Sequence, residues 1–256
     1  MSALSERLLG LVQRLFEKSA NVGLGSGRMG RAWRKAFFLF GQSRVLTRTR
    51  FHGASVVVPA GHPYQVFLNR YPTYNTPILV AIDLAWRGLP LTYCDVGAGV
   101  GDTMILARST NRIGVTIGID GDESFLKLAR RNLDSVASCE LICSMLTGRD
   151  GDEIRGLEPV HAGTRTAIGD WASEGVSLDT VLAGRSVDIL KVDVDGYDGQ
   201  VLQGAGDTLG RYSPIVVFEY HPALIDGVGQ TRSLPWDALG LAGYDRAIAF
   251  DKFGLL

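Results

Sequence analysis

The spacing of hydrophobic positions changes at about residue 44. Residues 1–40 have apolar positions at helical spacing, with charged residues between them, a pattern that predicts amphipathic helices. Beyond residue 44, short apolar runs predict a β-hairpin with strands at 45–51 and 55–58 around His52-Gly53. We therefore divide the chain into an N-terminal extension, residues 1–75, and a main domain, residues 76–256.

The main domain alternates between strand-like and helix-like patterns. Strands are predicted at 91–95, 115–120, 140–143, 187–194 and 214–220, and helices at 77–86, up to about 108, at 122–133 and at 200–209. Asp122 is the expected N-cap of the helix that it opens. Such alternation predicts an α/β fold, with a Rossmann-like, mostly parallel sheet that has helices on both faces.

Charge is distributed unevenly along the chain, although the net charge is only −1. Residues 1–50 contain ten Lys and Arg against two Glu. Two uses of residues 1–40 stay open: packing on the main domain or on a second subunit of a homo-oligomer, or peripheral contact with an anionic membrane. The small net charge gives no reason to expect a nucleic-acid partner.

The three cysteines, Cys94, Cys139 and Cys143, are odd in number and lie in or beside apolar runs. They are expected to be reduced core residues. No apolar run reaches the roughly 18–20 residues of a membrane span, and no secretory signal pattern is present. The expected location is therefore cytoplasmic, with membrane-peripheral contact through residues 1–40 as the alternative.

A glycine-rich turn follows the first predicted strand of the main domain. Its sequence, Asp95-Val-Gly97-Ala-Gly99-Val-Gly101-Asp102, leads into a helix. Glycines let the backbone approach a ligand closely, and ligands of open α/β sheets bind at the carboxyl ends of the strands. The sequence therefore predicts a cofactor loop here.

The spacing of this loop distinguishes between two cofactor classes. It is G-x-G-x-G, whereas dinucleotide-binding loops have G-x-G-x-x-G, and Asp102 stands where their third glycine would fall. An acid at that position repels a pyrophosphate but suits a cation. S-adenosylmethionine carries a sulfonium and an ammonium group, so it is the expected cofactor.

Asp120 ends the next predicted strand, 25 residues after Asp95. A carboxylate there can accept hydrogen bonds from both ribose hydroxyls, whereas the alternative role, an N-cap, is already filled by Asp122. The residues expected to contact the cofactor are Asp95, Gly97, Ala98, Gly99, Gly101, Asp102, Asp120, Gly121, Ser144 and Met145.

These features resemble Rossmann-like S-adenosylmethionine methyltransferases, and a later segment resembles their FkbM branch. Lys191-Val-Asp193-Val-Asp195-Gly is similar to the branch pattern Lys-x-Asp-x-Glu-Gly, and Val201-Leu-Gln-Gly-Ala is similar to the segment that follows it. Glu219-Tyr-His221-Pro also fits. The resemblance covers about residues 50–250, with Asp195 in place of the usual Glu and 74–76 in place of a Glu-Pro pair.

The resemblance implies an O-methyltransferase that acts on a hydroxyl of a sugar, glycan or natural product. Two alternatives stay open: a nicotinamide-dependent oxidoreductase, against which the glycine spacing argues, and a binding module that keeps the fold without activity. Loops and appended segments, expected at 1–75 and 147–176, would form the acceptor pocket.

A second group of charged residues follows the last two strands. Lys191, Asp193 and Asp195 alternate on one strand, as Glu219 and His221 do on the next. All five are catalytic candidates. A histidine exchanges protons near neutral pH, so His221 is the natural base, with Asp193 or Asp195 as the alternative.

Other roles for this group also stay open. Asp193 and Asp195 could instead hold a divalent metal ion that acidifies the acceptor hydroxyl. Lys191 could pair with Glu219 or Asp193 and only hold the sheet together.

Overall fold

The computed structural model describes residues 46–59, 68, 71–155, 157–160, 163–166 and 172–251. The chain divides into two compact units, each described by itself: the N-terminal unit contains the described residues up to 75 together with those of 159–164 and residue 251, and the main unit contains the described residues of 76–158 and 165–250. The helices predicted for residues 1–40 lie outside the described residues. Among the residues described, no helix has both the length and the apolar character needed to cross a bilayer.

The N-terminal unit contains the predicted hairpin. Strand β1 (Leu46–Phe51) pairs antiparallel with β2 (Ala54–Pro59). The two turn residues, His52 and Gly53, both have positive φ, at 44° and 88°, as the tight turns that match strand twist require. The His52 ring places Nε2 2.8 Å from the carbonyl oxygen of Tyr74, which ties the turn to a following segment.

The main unit is built on a five-stranded parallel sheet. The remaining strands are β3 (Leu91–Val96), β4 (Ile113–Asp120), β5 (Cys139–Cys143), β6 (Glu153–Arg155), β7 (Leu157–Val160), β8 (Gly163–Thr166), β9 (Ala172–Glu174), β10 (Ile189–Val192) and β11 (Ile215–Phe218). The order in the sheet is β11-β10-β3-β4-β5, and the pairs β6-β9 and β7-β8 form two small sheets. This confirms the predicted Rossmann-like α/β fold.

Helices cover both faces of the main sheet. They are α1 (Pro77–Ala85), α2 (Asp102–Arg108), α3 (Glu123–Asn132), α4 (Leu178–Leu182), α5 (Asp198–Gln203), α6 (Gly206–Tyr212), α7 (Pro222–Gly227) and α8 (Leu234–Leu241). One buried cluster joins α1, α2 and α3 to Tyr93 and Ile189. The other joins α4, α5, α6 and α8 to Cys94 and Leu190.

The alternation of side chains along each strand explains the two clusters. Neighbouring residues of a strand point to opposite faces, so Tyr93 and Ile189 lie in one core and Cys94 and Leu190 in the other. Asp95 and Lys191 share the face of Tyr93 and Ile189. Two charged residues of the site are therefore built into the core layer beneath α1 and α2.

The helical segment predicted near 200–209 is confirmed as two helices with a bend at Gly204, where a Cβ would lie 2.2 Å from the carbonyl oxygen of Thr147. One local prediction is wrong. Cys94 is buried as expected, but Cys139 is half-buried and Cys143 is exposed. Their strand, β5, has a neighbour in the main sheet on one side only, so it is less covered than β3.

Candidate functional site

The site lies where the strand order reverses. The chain runs from β3 outward to β4 and β5, and then returns to place β10 and β11 on the other side of β3. Ligands of open α/β sheets bind at such a switch point, outside the carboxyl ends of the strands. The glycine loop leaves β3 at this point, and the charged residues of 191–195 leave β10 beside it.

The first glycine of the loop is buried against protein. The amides of Gly97 and Ala98 donate to the carbonyl oxygen of Ile119, at 2.9 and 3.1 Å. Gly97 has φ +76°, and a Cβ there would lie 1.9 Å from the carbonyl oxygen of Asp193. The backbones after β3 and β10 therefore meet at Gly97, and no other residue type would fit.

The next glycine faces open space. Gly99 has φ +51°, and a Cβ there would meet no atom within 4 Å. Its amide donates to Oδ2 of Asp120 at 2.8 Å. The loop is therefore fixed by its backbone while one side of it is left open for a ligand.

The carboxylate of Asp120 is held by two backbone amides. Gly99 donates to Oδ2 and Asp122 to Oδ1, both at 2.8 Å. Burial raises the pKa of Asp120, and these two amides oppose that effect by favouring the ionised form. Because a carboxylate has about four acceptor positions, each oxygen keeps capacity for one more donor, such as one of two neighbouring hydroxyls.

The other predicted cofactor residues lie near Asp120 or at the start of α2. Ser144 donates its amide to the carbonyl oxygen of Asp120 at 3.0 Å, and a Cβ on Gly121 would meet the sulfur of Met145 at 2.4 Å. Gly101 is the N-cap of α2, and the next residue, Asp102, is buried. Asp122 caps α3 by accepting from the amide of Ser124, as predicted.

Asp95 is completely buried beneath the loop. Its carboxylate accepts from Lys191 Nζ at 2.8 Å, from Tyr93 Oη at 3.3 Å and from Thr103 Oγ1. Asp95 was predicted to contact the cofactor, but in this structure its oxygens are engaged by protein donors. It supports the loop from below.

Lys191 lies between two carboxylates. Its Nζ is 2.8 Å from Asp95 Oδ1 and 3.6 Å from Asp193 Oδ2, and it also donates to the carbonyl oxygen of Gly97 at 3.2 Å. Burial alone would lower the pKa of Lys191, but the charges of Asp95 and Asp193 outweigh it and raise the pKa. Lys191 is thus a permanent cation at the switch point.

Beyond Lys191, the ends of β10 and β11 carry an acidic group, which we call the acidic cluster: Asp193, Asp195, Asp198 and Glu219. The amide of Glu219 donates to the carbonyl oxygen of Val192 at 3.1 Å, which places Glu219 beside Asp193 on the neighbouring strand. Burial, together with the charges of the three aspartates, raises the pKa of Glu219 to about 8. Glu219 therefore exchanges protons near physiological pH.

Asp198 was missed by the sequence reasoning. It is buried at the first position of α5, where its Oδ2 accepts from the amide of Gly196 at 3.1 Å. Its Oδ1 is buried with no hydrogen-bond partner among the described residues. Burial and the charge of Asp193 raise the pKa of Asp198 to about 7. The available signal was a carboxylate just before the apolar pair Val201-Leu202, at the start of a helix.

His221 is exposed and forms the N-cap of α7. Its Nδ1 accepts from the amide of Leu224 at 3.4 Å. In a neutral imidazole with Nδ1 as acceptor, the proton is on Nε2, which then donates rather than accepts. With Nδ1 engaged in this way, Nε2 of His221 is better suited to donate a hydrogen bond than to act as a base.

Within the described part of the chain, no group of three or more His, Cys, Asp or Glu side chains has the arrangement of a metal site. The predicted metal ligands, Asp193 and Asp195, are accordingly not brought together as such a group. Asp195 has φ +52° and opens a turn with Gly196 that packs against α7.

An aromatic surface lies on the opposite side of the β11 chain from the Glu219 side chain. The ring of Trp236 contacts the rings of Phe218 and Tyr220, with centroids 5.3 Å apart in both pairs. Tyr220 is 41% exposed and Trp236 is 43% exposed. Because Phe218 and Tyr220 both point toward Trp236, Glu219 between them points to the other face.

Comparison with known proteins identifies part of the chain. Residues 151–237 match the profile of the family described as Methyltransferase FkbM domain, which confirms the resemblance for this segment. Comparison with curated protein sequences gave no match.

Two solved structures illustrate the similarity of fold. Precorrin-6y C5,15-methyltransferase from Geobacter metallireducens is 13% identical, with 66% of this chain and 70% of that chain covered and a TM-score of 0.40. Magnesium protoporphyrin IX methyltransferase from Synechocystis PCC 6803, with bound SAM, is 13% identical, with 72% of each chain covered and a TM-score of 0.43. Likenesses of this degree carry no argument about the activity.

Proposed function

We propose that this chain, whose residues 151–237 match the FkbM methyltransferase domain, is an S-adenosylmethionine-dependent O-methyltransferase. The cofactor binds over the glycine loop and Asp120, and the acceptor hydroxyl binds over the acidic cluster. The observation that carries the proposal is the arrangement of Asp120, because its two oxygens are oriented by backbone amides beside the open face of Gly99.

The residues of the loop fit S-adenosylmethionine better than a dinucleotide. Asp120 has capacity for two hydroxyl donors, as vicinal ribose hydroxyls require. The surrounding carboxylates, of which Asp193 has a side chain 49% exposed, favour a cation over a pyrophosphate. When bound, S-adenosylmethionine supplies a methyl group already activated by a sulfonium.

Glu219 is the residue we assign as proton acceptor. Methyl transfer to a hydroxyl forms an O–C bond as the S–C bond breaks, and the hydroxyl proton must leave to a base. A carboxylate whose pKa is about 8 is a stronger base than an ordinary carboxylate, and the fraction in its ionised form increases as pH rises toward 8. His221 then serves as a hydrogen-bond donor at the rim, in keeping with its capping bond.

The acidic cluster supports a sugar or another hydroxyl-bearing natural product as the acceptor. Carboxylates accept hydrogen bonds from hydroxyls. Asp193, whose side chain is 49% exposed, and the partly buried Glu219 provide such acceptors at the ends of neighbouring strands.

Calorimetry with S-adenosylhomocysteine tests the cofactor assignment. We expect saturable one-site binding, and binding of NADH in its place would contradict the proposal. A screen of glycans and hydroxylated natural products with methyl-labelled S-adenosylmethionine then tests the reaction. Label transferred to nitrogen, or no transfer by a protein that binds the cofactor, would contradict the O-methyltransferase assignment.

A further inference from the structure

The ammonium group of Lys191 joins the two halves of the site. It contacts Asp95 under the loop, the carbonyl oxygen of Gly97 within the loop, and Asp193 at the end of β10. An ammonium has several N–H donors and a compact charge, so Lys191 donates hydrogen bonds to Asp95 and Gly97 while its charge attracts Asp193 at 3.6 Å.

The backbone strengthens this connection. Gly97 lies directly against the carbonyl oxygen of Asp193, with space for no side chain between them. The parallel pairing of β10 with β3 also places Lys191 directly opposite Asp95. A shift of the loop would therefore displace Asp193, and a shift of β10 would displace the loop.

Burial decides how Lys191 can act. Its side chain is only 7% exposed, whereas that of Asp193 is 49% exposed. A ligand in the crevice therefore reaches Asp193 but not the ammonium behind it. Lys191 was a catalytic candidate from the sequence, and this geometry favours an action through its neighbours.

We propose that Lys191 is a positioning residue that couples the cofactor loop to Asp193, so that cofactor affinity and turnover both depend on it. The proposal rests on the proposed methyltransferase function. It assigns Lys191 two effects: it sets the position of the loop through Gly97, and it sets the orientation of the exposed carboxylate at the acceptor side.

The test must separate positioning from folding. Lys191→Met alone leaves the buried Asp95 without its cation, and it is expected to destabilise the protein strongly. The informative variant is therefore Asp95→Asn combined with Lys191→Met, which removes both charges together. Asp95→Asn alone is the matched control, because Lys191 keeps its contacts with Gly97 and Asp193.

We expect the double variant to fold and to bind S-adenosylhomocysteine about tenfold more weakly than Asp95→Asn does. At saturating S-adenosylmethionine, kcat of the double variant should remain about tenfold low, because Asp193 is no longer held. Lys191→Arg should restore part of both quantities. Recovery of kcat at saturation, or wild-type affinity, would overturn the coupling.

Hydrogen exchange gives a readout that needs no ligand. In the double variant, the amides of residues 98–101 should exchange faster than in Asp95→Asn, because the loop has lost its contact at Gly97. Unchanged exchange would overturn the proposal even if the chain bound no cofactor. Absence of cofactor binding in the wild type, by contrast, would contradict only the methyltransferase assignment.

Discussion

The two halves of the crevice hold their carboxylates differently. At the ends of β3 and β4, burial raises the pKa of Asp95 and Asp120, and hydrogen bonds from amides, a hydroxyl and an ammonium oppose that rise. At the ends of β10 and β11, burial and neighbouring acids together raise the pKa of Asp198 to about 7 and that of Glu219 to about 8. The first half therefore offers oriented acceptors for binding, whereas the second half suits proton exchange.

This difference follows from the surroundings of each carboxylate. Donors to the ionised form offset the cost of burial, while burial near other acids adds to it. Enzymes commonly place such perturbed groups where protons are transferred. If the two halves act separately, a substitution in one should change cofactor affinity and a substitution in the other should change kcat.

The largest effect is expected for Asp120→Ala. It removes the acceptor for two hydroxyls and also releases the amide of Gly99, so S-adenosylhomocysteine affinity should fall at least about 100-fold. Calorimetry measures this loss. Asp122→Ala, which removes the cap of α3, should reduce stability by about 1 kcal/mol but leave affinity nearly unchanged. Similar losses in both variants would contradict the assignment of Asp120.

Glu219→Gln should damage the other half alone. We expect kcat to fall about 100-fold, the typical contribution of a general base, with S-adenosylhomocysteine affinity unchanged. In the wild type, kcat should rise with pH as Glu219, with its pKa of about 8, loses its proton, and this rise should be absent in the variant. Glu140→Gln, on β5, is the control. An unchanged pH profile in Glu219→Gln would reject Glu219 as the base.

Two glycines of one loop should respond differently to alanine. Gly99→Ala should fold, with a left-handed strain of about 1–2 kcal/mol, and bind S-adenosylhomocysteine about tenfold more weakly because the methyl group enters the open face. Gly97→Ala should lower Tm far more, because its methyl group would overlap the carbonyl oxygen of Asp193. Equal Tm values for the two variants would contradict the described packing.

The smallest effect is a pH dependence of stability. The folded-state pKa of Asp198 is about 7, above the unfolded value of about 4, so its contribution is full at acidic pH and is lost as pH rises through 7. Tm of the wild type should fall by roughly 5 °C between pH 5 and pH 8. Asp198→Asn should reduce this slope without abolishing it, because Glu219 also has a raised pKa, whereas the exposed control Asp207→Asn should leave the slope unchanged. A flat wild-type profile would contradict the prediction.

The sequence predicts most of the fold because periodicity is local information. The alternating strands and helices, the hairpin at His52-Gly53 and the cap at Asp122 all depend on near neighbours in the chain. The bend at Gly204 was not predicted, because its cause is a backbone contact with Thr147, far away in sequence.

In the site too, the features that depend on neighbouring residues were predicted, and those that depend on distant contacts were not. The glycine loop is a local motif, and the strand alternation placed Asp193 and Glu219 on one side. The predicted ion pair of Lys191 with Asp193 is present, but its nearer partner, Asp95, was not predicted, because strand order decides that β3 supplies the nearest carboxylate. Asp198 was missed because its burial and its unpaired oxygen exist only after α5 packs.

The pair Lys191–Asp95 joins positions separated by 96 residues. The strands β3, β4 and β5 are sequential neighbours, whereas β10 reaches β3 only after a long intervening segment has been arranged. Contacts so distant in sequence carry a large loop-closure cost and tend to form late in folding. We therefore expect intermediates that contain β3–β5 but lack the crevice, so that competence to bind a ligand marks the last step of folding.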